Sequence, residues 1–367
     1  MSEERKRCRE LGVVVGTMSP GPKNSITDVS GVRVGHTTLS FNEQGNVAQT
    51  GVTAIWLGDG DLVRAPVPAG SFVLNGSGEI TGRSIADEWG IASTPIVLTA
   101  TMSVGIVYHA VQRYLCRQDP DMGRLQLVIP LVGECDDSFL NDSRAFHITE
   151  DHVFAALDTA SDAAVEEGCV GAGTGMQCFG FKGGIGSASR RLDEGDGGFM
   201  VGVLVQTNLG ERRQLTIDGV PVGREITDLM PKGRWPDYWG KTGDGGSCIV
   251  VVATDAPLTN HQVARLAKRS ALGLARIGSV GANSSGELMF AFTTANRVRA
   301  SGELLHTIER VNDRRIDPLY RAVIEATEEA VTNALFKAHT TVGREGHTLY
   351  ALPIDRTLEL LRRHGRL

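Results

Sequence analysis

The 367-residue sequence predicts a layered α/β fold, and two patterns carry this prediction. First, several apolar, β-branched runs lie between turn residues, which is typical of strands. The run at 287–294 is apolar on both faces, as expected for a strand that is covered on each side. Second, other segments place apolar residues at helical spacing, which predicts amphipathic helices. Strands buried on both faces, with amphipathic helices outside them, indicate an α/β sandwich.

The predicted elements follow the chain in order. The strands are short apolar or β-branched runs at 32–39, 51–57, 94–101, 125–132, 199–207, 248–253 and 287–294. Segment 215–222 predicts a hairpin, because an Asp-Gly pair supplies the positive φ angles of a type I′ turn. Helices are predicted at 104–117, at 150–167, after a cap at Thr259 or Asn260, and after an N-cap at Asp317 that precedes a proline. The polar, Gly-rich segment 232–246 is expected to be an exposed connection.

The composition favours a cytoplasmic protein that binds neither nucleic acid nor membrane. A formal charge of −6 leaves no basic stripe to neutralise phosphates. The charged start of the chain lacks the apolar core of a signal peptide, and no run approaches the roughly 18 apolar residues that span a bilayer. The six cysteines form no Cys-x-x-Cys pair, so reduced thiols are expected. His147 and His152 lack the spacing of a helical metal pair, and no metal or other cofactor is predicted.

The most informative local feature is a glycine-dense stretch that leads directly into a serine. Residues 243–252 are Gly-Asp-Gly-Gly-Ser-Cys-Ile-Val-Val-Val, with Ser247 at the start of an apolar run. By itself this pattern is typical of a loop before a strand. It is also a place where a chain can cut itself and make an internal serine its new N-terminal residue. Such a serine carries a hydroxyl nucleophile and an α-amine whose pKa, about 7.7–8.0, suits a base near neutral pH.

Short motifs also recur in a fixed order along nearly the whole chain. They lie at 24–36, 49–54, 75–82, 171–176, 180–186, 246–247, 253–258, 285–287 and 343–348. Any one of them is weakly specific, but the ordered set resembles the L-aminopeptidase/D-Ala-esterase-amidase family, which also includes the β-peptidyl aminopeptidases.

This resemblance implies a self-cleaving serine enzyme in a single domain. The fold would be a four-layer αββα sandwich related to the ornithine acetyltransferases. The cut would fall between Gly246 and Ser247, which would give a larger chain of residues 1–246 and a smaller chain of residues 247–367. The local residues agree with this expectation, because Gly245 and Gly246 have no Cβ and allow the strained backbone that such an attack needs.

The resemblance also implies two residues beside the nucleophile. Ser285 and Glu287 match a Ser-x-Glu pair of the family. They are two residues apart at the start of a predicted strand, so their side chains point to the same face. Ser285 would orient or relay the proton of Ser247, and Glu287 would fix the serine or the α-ammonium. A polar rim of a loop is the structural alternative.

Two further positions match residues with roles in the family. Asn208 matches the asparagine of the oxyanion hole, and a turn residue at the end of a strand is the alternative. Glu134, at the end of the predicted strand 125–132, is expected to bind the ammonium of a substrate; a surface carboxylate is the alternative. At residue 136 some relatives carry an aromatic residue, whereas this chain has Asp136, which bears on the substrate pocket.

The predicted function is that of an aminopeptidase or amidase acting on short peptides, amides or esters with a free N-terminus. Ser247 would form an acyl-enzyme, which water would hydrolyse. The resemblance also implies a homo-oligomer, a tetramer of processed pairs. One alternative is an N-acyltransferase of the ornithine acetyltransferase type, although those enzymes carry threonine at the cut. Another is an unprocessed, non-catalytic binding protein. Whether the substrate is an L-α-, D- or β-amino acyl compound stays open.

Overall fold

The computed structural model describes residues 5–43, 45–233, 246–297 and 303–367. Its strands are β1 Val32–Glu43, β2 Asn46–Leu57, β3 Val67–Gly76, β4 Ile91–Ala92, β5 Ile96–Ala100, β6 Leu131–Cys135, β7 Gln177–Cys178, β8 Phe181–Lys182, β9 Ile185–Arg191, β10 Met200–Asn208, β11 Gly246–Thr254, β12 Ser285–Thr293, β13 Thr341–Val342 and β14 Thr348–Leu349. Its α-helices are α1 Arg83–Glu88, α2 Val104–Gln118, α3 Glu150–Asp158, α4 Val222–Glu225, α5 Asn260–Arg276, α6 Asp317–Lys337 and α7 Ile354–Arg363.

Two large sheets carry the fold. One has four strands in the order β1-β2-β5-β6, and the other has six in the order β4-β3-β12-β11-β10-β9. Neighbouring strands are antiparallel except for the pairs β5/β6 and β11/β12, which are parallel. In the six-stranded sheet β11 therefore lies between β10, which precedes it in the chain, and β12, which follows it.

The two sheets and the helices form four layers. Helices α2 and α3 pack on the four-stranded sheet, and the two sheets pack face to face through a shared apolar cluster. Helices α5 and α6 cover the other face of the six-stranded sheet and enclose a second cluster. The arrangement confirms the predicted αββα sandwich, because each sheet buries one face on a sheet and the other on helices.

The central strands alternate between these two clusters. In β11, Ile249 and Val251 belong to the cluster between the sheets, whereas Cys248 and Val250 belong to the cluster beneath the helices. In β12, Leu288 faces the other sheet and Met289 faces the helices. This period of two explains why residues 288–292 are all apolar, and it assigns each polar residue at the strand ends to one face.

Several predicted boundaries are wrong. The predicted strand 125–132 begins instead at Leu131, and Leu125 and Leu127 are exposed. The predicted helix 150–167 ends at Asp158, because the chain beyond it pairs with β1 through a bridge between Ser161 and Val34. Both errors come from pairing between distant segments, which a local pattern does not contain.

Other local predictions are confirmed. Asp218 and Gly219 both have positive φ, as a type I′ turn requires, although only Ile217 and Val220 pair across that turn before the chain enters α4. Thr259 caps α5 by accepting a hydrogen bond from Gln262 N. The long helix predicted after residue 317 is α6, but the predicted N-cap is wrong: Ile316 is the N-cap and Asp317 is the first helical residue. Of the predicted connection 232–246, residues 234–245 lie outside the described residues.

The start of the chain is tied to the end of α6. Arg5 Nε donates to the carbonyl of Phe336 at 2.7 Å, and Arg9 forms an ion pair with Glu329 at 2.7 Å. These contacts join residues of the proposed larger chain to a helix of the proposed smaller chain. Among the described residues, none of the helices has the length and the apolar character needed to cross a membrane.

Candidate active site

Ser247 lies near the start of β11, in the middle of the six-stranded sheet. It pairs with Asn208 of β10 on one side and with Gly286 of β12 on the other, and it is buried. The preceding residue, Gly246, packs so closely against β10 that a Cβ would collide with the carbonyl oxygen of Asn208. The space before the serine therefore admits only a glycine.

The amide of Asn208 faces the hydroxyl of Ser247. Asn208 Nδ2 lies 3.4 Å from Ser247 Oγ and donates to the carbonyl of Asp136 at 2.9 Å. Asn208 Oδ1 accepts a hydrogen bond from Gln177 N at 3.2 Å. Because a backbone N–H can only donate and a carbonyl can only accept, these two contacts fix which end of the amide is the nitrogen. A hydrogen-bond donor is thus directed at the candidate nucleophile.

Ser285 and Glu287 contact each other at the start of β12. Ser285 Oγ donates to Glu287 Oε1 at 2.5 Å, and the Glu287 side chain is buried. Burial raises the pKa of Glu287, while the hydrogen bond from Ser285 and the nearby amide of Asn75 partly oppose this rise. The Asn75 amide donates to the carbonyl of Ala282, and Glu287 Oε2 accepts no hydrogen bond within the described residues. One buried carboxylate oxygen is therefore left without a donor.

The two pairs lie on opposite faces of the sheet. Ser285 is opposite Gly246, and Glu287 is opposite Cys248, so both point to the helix side. Ser247 points to the other sheet, and no hydrogen bond joins its hydroxyl to Ser285 or Glu287 within the described residues. The Ser-x-Glu pair therefore lies beside the main chain of β11, opposite Gly246 and Cys248, on the face away from the Ser247 side chain.

Glu134 belongs to β6 of the facing sheet. Its Oε1 accepts from Glu79 N at 2.9 Å and its Oε2 from the hydroxyl of Thr101. Burial raises the pKa of Glu134, and the carboxylates of Asp136 and Glu79 add to this effect although the two hydrogen bonds oppose it. A Cβ on Gly78 would lie 3.2 Å from Glu134 Oε1 and 3.8 Å from Gly286 Cα, so Gly78 separates the carboxylate from the residue that pairs with Ser247.

Other residues at the site were not singled out from the sequence. The thiol of Cys135 interacts with the Ser247 hydroxyl, and burial raises its pKa well above the usual value, which keeps it neutral. Gln177 orients Asn208 through its backbone N–H. The only sequence signal for the contact between Gln177 and Asn208 is that Gln177 lies between the glycine-rich motifs at 171–176 and 180–186.

The arrangement has the elements of acyl transfer. A buried serine hydroxyl provides a nucleophile, and a fixed amide N–H provides a donor for an oxyanion. A carboxylate with an unpaired oxygen lies on the neighbouring strand, opposite Cys248. Within the described ranges, no group of three or more His, Cys, Asp or Glu side chains is placed to hold a metal ion.

The proteins to which this chain is similar include aminopeptidases. The chain is 41% identical to the β-peptidyl aminopeptidase BapA of Sphingosinicella microcystinivorans, over 100% of this chain and 94% of the relative. The structure of a β-aminopeptidase from a Burkholderia species matches with a TM-score of 0.88 and 39% identity, covering 98% of this chain and 99% of that one. The L-aminopeptidase D-Ala-esterase/amidase of Ochrobactrum anthropi, described as a prototype of the serine aminopeptidases and a variant of the Ntn hydrolase fold, matches with a TM-score of 0.91 and 38% identity over 98% of this chain and 99% of that one.

These similarities define a hydrolase of peptide or amide bonds with a variant of the Ntn hydrolase fold. The model of Peptidase family S58 matches residues 24–349, and the chain belongs to this family. The predicted resemblance and the predicted aminopeptidase or amidase function are thereby confirmed, and the acyltransferase alternative is not favoured.

Proposed function

We propose that this peptidase matures by cutting its own chain between Gly246 and Ser247, and that Ser247 is then its catalytic nucleophile. The observation that carries the proposal is the pairing of Ser247 with an oriented amide donor, 3.4 Å from its hydroxyl, directly after a glycine that tolerates no side chain. The products would be residues 1–246 and 247–367, held together in one αββα domain.

In the proposed maturation, Ser247 Oγ attacks the carbonyl carbon of Gly246. The C–N bond breaks and an ester forms, and the proton lost by the hydroxyl passes to the peptide nitrogen, which becomes the amine of Ser247. Water then hydrolyses the ester, which releases a carboxylate on Gly246 and restores the serine hydroxyl. The Asn208 amide is close enough to serve the negative oxygen of this step.

In the proposed turnover, the free Ser247 amine takes the proton of its own hydroxyl as Oγ attacks the substrate carbonyl. Asn208 Nδ2 stabilises the resulting oxyanion, an acyl-enzyme forms as the amine product leaves, and water releases the acid. The unpaired Glu287 Oε2 supports a role in holding the protonated amine, because this buried oxygen lacks a donor and belongs to the residue opposite Cys248, which directly follows Ser247. Ser285 then fixes the carboxylate through its short hydrogen bond.

Short peptides and amides with a free N-terminus are the proposed substrates. Glu134 would bind their ammonium group. Its position across Gly78 from Gly286, the residue that pairs with Ser247, supports this role. The names of the relatives refer to β-peptidyl, L-amino acyl and D-alanyl substrates. Hydrolysis rates for a panel of anilides from these three classes would therefore define the substrate.

The first test is the Ser247→Ala variant. We expect wild-type protein to give two species by denaturing mass spectrometry, split between Gly246 and Ser247, whereas the variant gives one mass and no turnover. Appreciable hydrolysis by Ser247→Ala would overturn the mechanism. A wild-type chain that stays whole but hydrolyses anilides would separate the activity from the proposed maturation.

We also infer a cytoplasmic homo-oligomer, a tetramer of processed pairs. All six cysteines are free thiols, which supports a reducing compartment. Leu125 and Leu127 are 80% and 85% exposed, which supports burial of this face by another subunit. Native mass spectrometry tests the assembly.

A further inference from the structure

Lys182 in β8 is a buried cation without a carboxylate partner among the described residues. Its side chain is fully buried, and Nζ donates to the backbone carbonyls of Met176 and Gly183 at 2.8 Å and of Gly173 at 3.2 Å. Three backbone carbonyls thus accept from one ammonium, which has three N–H donors. Burying an ammonium away from any carboxylate is costly, and an apolar side chain would avoid that cost. The lysine therefore points to a specific task.

The three carbonyls belong to one loop, and a backbone N–H of the same loop binds the side chain of Asn208. In the loop formed by residues 173–184, Gln177 pairs with Lys182 in the β7-β8 hairpin. Gln177 N is the donor that binds Asn208 Oδ1. The amide that faces Ser247 is thus attached to a loop whose carbonyls converge on one ammonium.

The remaining contacts of Lys182 are consistent with a fixed cation. Burial lowers the pKa of Lys182, and the nearby Cys169 thiol opposes this change. Burial by itself raises the pKa of Cys169, but Lys182 and His339 outweigh burial and bring it to about 6. Cys169 is held in turn by the backbone of His339, whose N lies 3.4 Å from Sγ.

We propose that Lys182 is a positioning residue of the oxyanion hole, which sets the Asn208 amide by clamping the loop 173–184. The inference rests on the proposed roles of Ser247 and Asn208 and extends them to a residue that does not touch the reacting atoms. Without the ammonium, the three carbonyls repel one another and lose their donors, so the Gln177 N–H moves and the amide of Asn208 is free to rotate.

A double-mutant cycle tests this inference. The variants are Lys182→Met, Asn208→Ala and the two together, with kcat measured per active serine after titration with a serine-directed phosphonate. We expect Asn208→Ala to lower kcat about 100-fold or more. Lys182→Met should lower kcat between about 10-fold and about 100-fold with KM little changed, and the double variant should be no slower than Asn208→Ala. For a variant that does not mature fully, the rate of cleavage between Gly246 and Ser247 replaces kcat as the measured quantity, because the proposed cleavage also uses the Asn208 amide as a donor.

Arg190→Met is the matched control. It also removes a fully buried cation, but Arg190 binds the carbonyls of Val15 and Ser189 and not the Asn208 loop. It should lower thermal stability without lowering kcat. If Lys182→Met does not fold, Lys182→Gln keeps donors in place and is carried through the same cycle.

The outcomes are separable. The role of Lys182 would be overturned if the fold-decreases in kcat of the two single variants multiply in the double variant, or if a Lys182 variant has normal kcat. Either result would leave the proposed function intact. A normal rate for Asn208→Ala would overturn the role of Asn208 and this inference with it.

Discussion

Two groups of buried side chains in this molecule contain glutamates, but they differ in whether a cation pairs with the carboxylate. The arginine cluster consists of Arg190, Glu325 and Glu329, where Arg190 lies 3.3 Å and 2.7 Å from the two carboxylates. The Glu287 pair consists of Ser285 and Glu287, and its carboxylate has no cation within ion-pair distance among the described residues.

The difference appears in the charge states. Burial by itself raises the pKa of Glu329, but Arg190 and Arg9 outweigh burial, so the pKa is lowered. For Glu287 burial dominates and the pKa is raised. A fully paired buried carboxylate indicates a structural connection, here between β9 and α6. A buried carboxylate with an unpaired oxygen indicates a site that can bind a positive group. The proposed cut would create such a group, the α-ammonium of Ser247.

The largest expected effect concerns the arginine cluster. Arg190→Met should lower the free energy of unfolding by about 3–5 kcal/mol, because it leaves the buried Glu325 without a cation and leaves Glu329 with Arg9 alone. Urea denaturation measures the loss. Its control is Arg191→Met, since the Arg191 side chain is 56% exposed and its pair with Glu194 should contribute at most about 1 kcal/mol. Equal losses for both variants would contradict the structural role.

The next effect concerns the Glu287 pair. Glu287→Gln should slow turnover about 100-fold or more, equivalent to about 2.7 kcal/mol, while the fold stays intact. The reason is that the amide keeps the shape but cannot stabilise an ammonium on Ser247. Steady-state kinetics with an anilide substrate measure kcat, and Glu329→Gln serves as the opposite case, with lower stability and unchanged kcat per folded enzyme. A near-normal rate for Glu287→Gln would make Glu287 a structural residue.

The smallest effect is the pH dependence of stability, measured in the uncut Ser247→Ala chain. A raised folded pKa means that the contribution of Glu287 is most favourable below its unfolded pKa, about 4.3, and is lost as the pH rises through the folded pKa. Adding Glu287→Gln should therefore increase Tm at neutral pH and change it little in acid.

Glu329 should show the reverse dependence. Its lowered pKa stabilises the fold above the unfolded pKa, and this stability is lost as the pH falls through the folded pKa. In the same Ser247→Ala chain, adding Glu329→Gln should therefore lower Tm at neutral pH more than in acid. Parallel pH profiles for the Glu287 and Glu329 variants would contradict the comparison.

The central strands and the helices could be predicted because their signals are local. The β-branched run after Ser247 and the helical spacing after Asp317 each lie within one segment. The segment at 125–132 misled the prediction, because alternating apolar residues there include Leu125 and Leu127, which this chain leaves exposed. A sequence pattern shows that residues are apolar, but not whether another segment covers them.

The candidate site was only partly accessible to sequence reasoning. Ser247 and the Ser285–Glu287 pair could be selected from motifs, and the hydrogen bond between Ser285 and Glu287 follows from their spacing. That this pair and the Ser247 side chain take opposite faces depends on the parallel register of β11 and β12. The contacts of Asn208 with Gln177 and Asp136 join segments far apart in the chain. Only the fold determines such contacts.

The position of β11 between β10 and β12 has a consequence for the timing of maturation. The bond proposed to break lies in β11, and one of the two neighbours of that strand, β12, is synthesised after it. Helix α6, which binds Arg5 and Arg9, is also synthesised after β11. A nascent chain that ends shortly after Ser247 lacks both partners and should not cut itself. Scission would then act as a checkpoint: each molecule becomes active only after its last segments have folded, and a misfolded copy never acquires a working nucleophile.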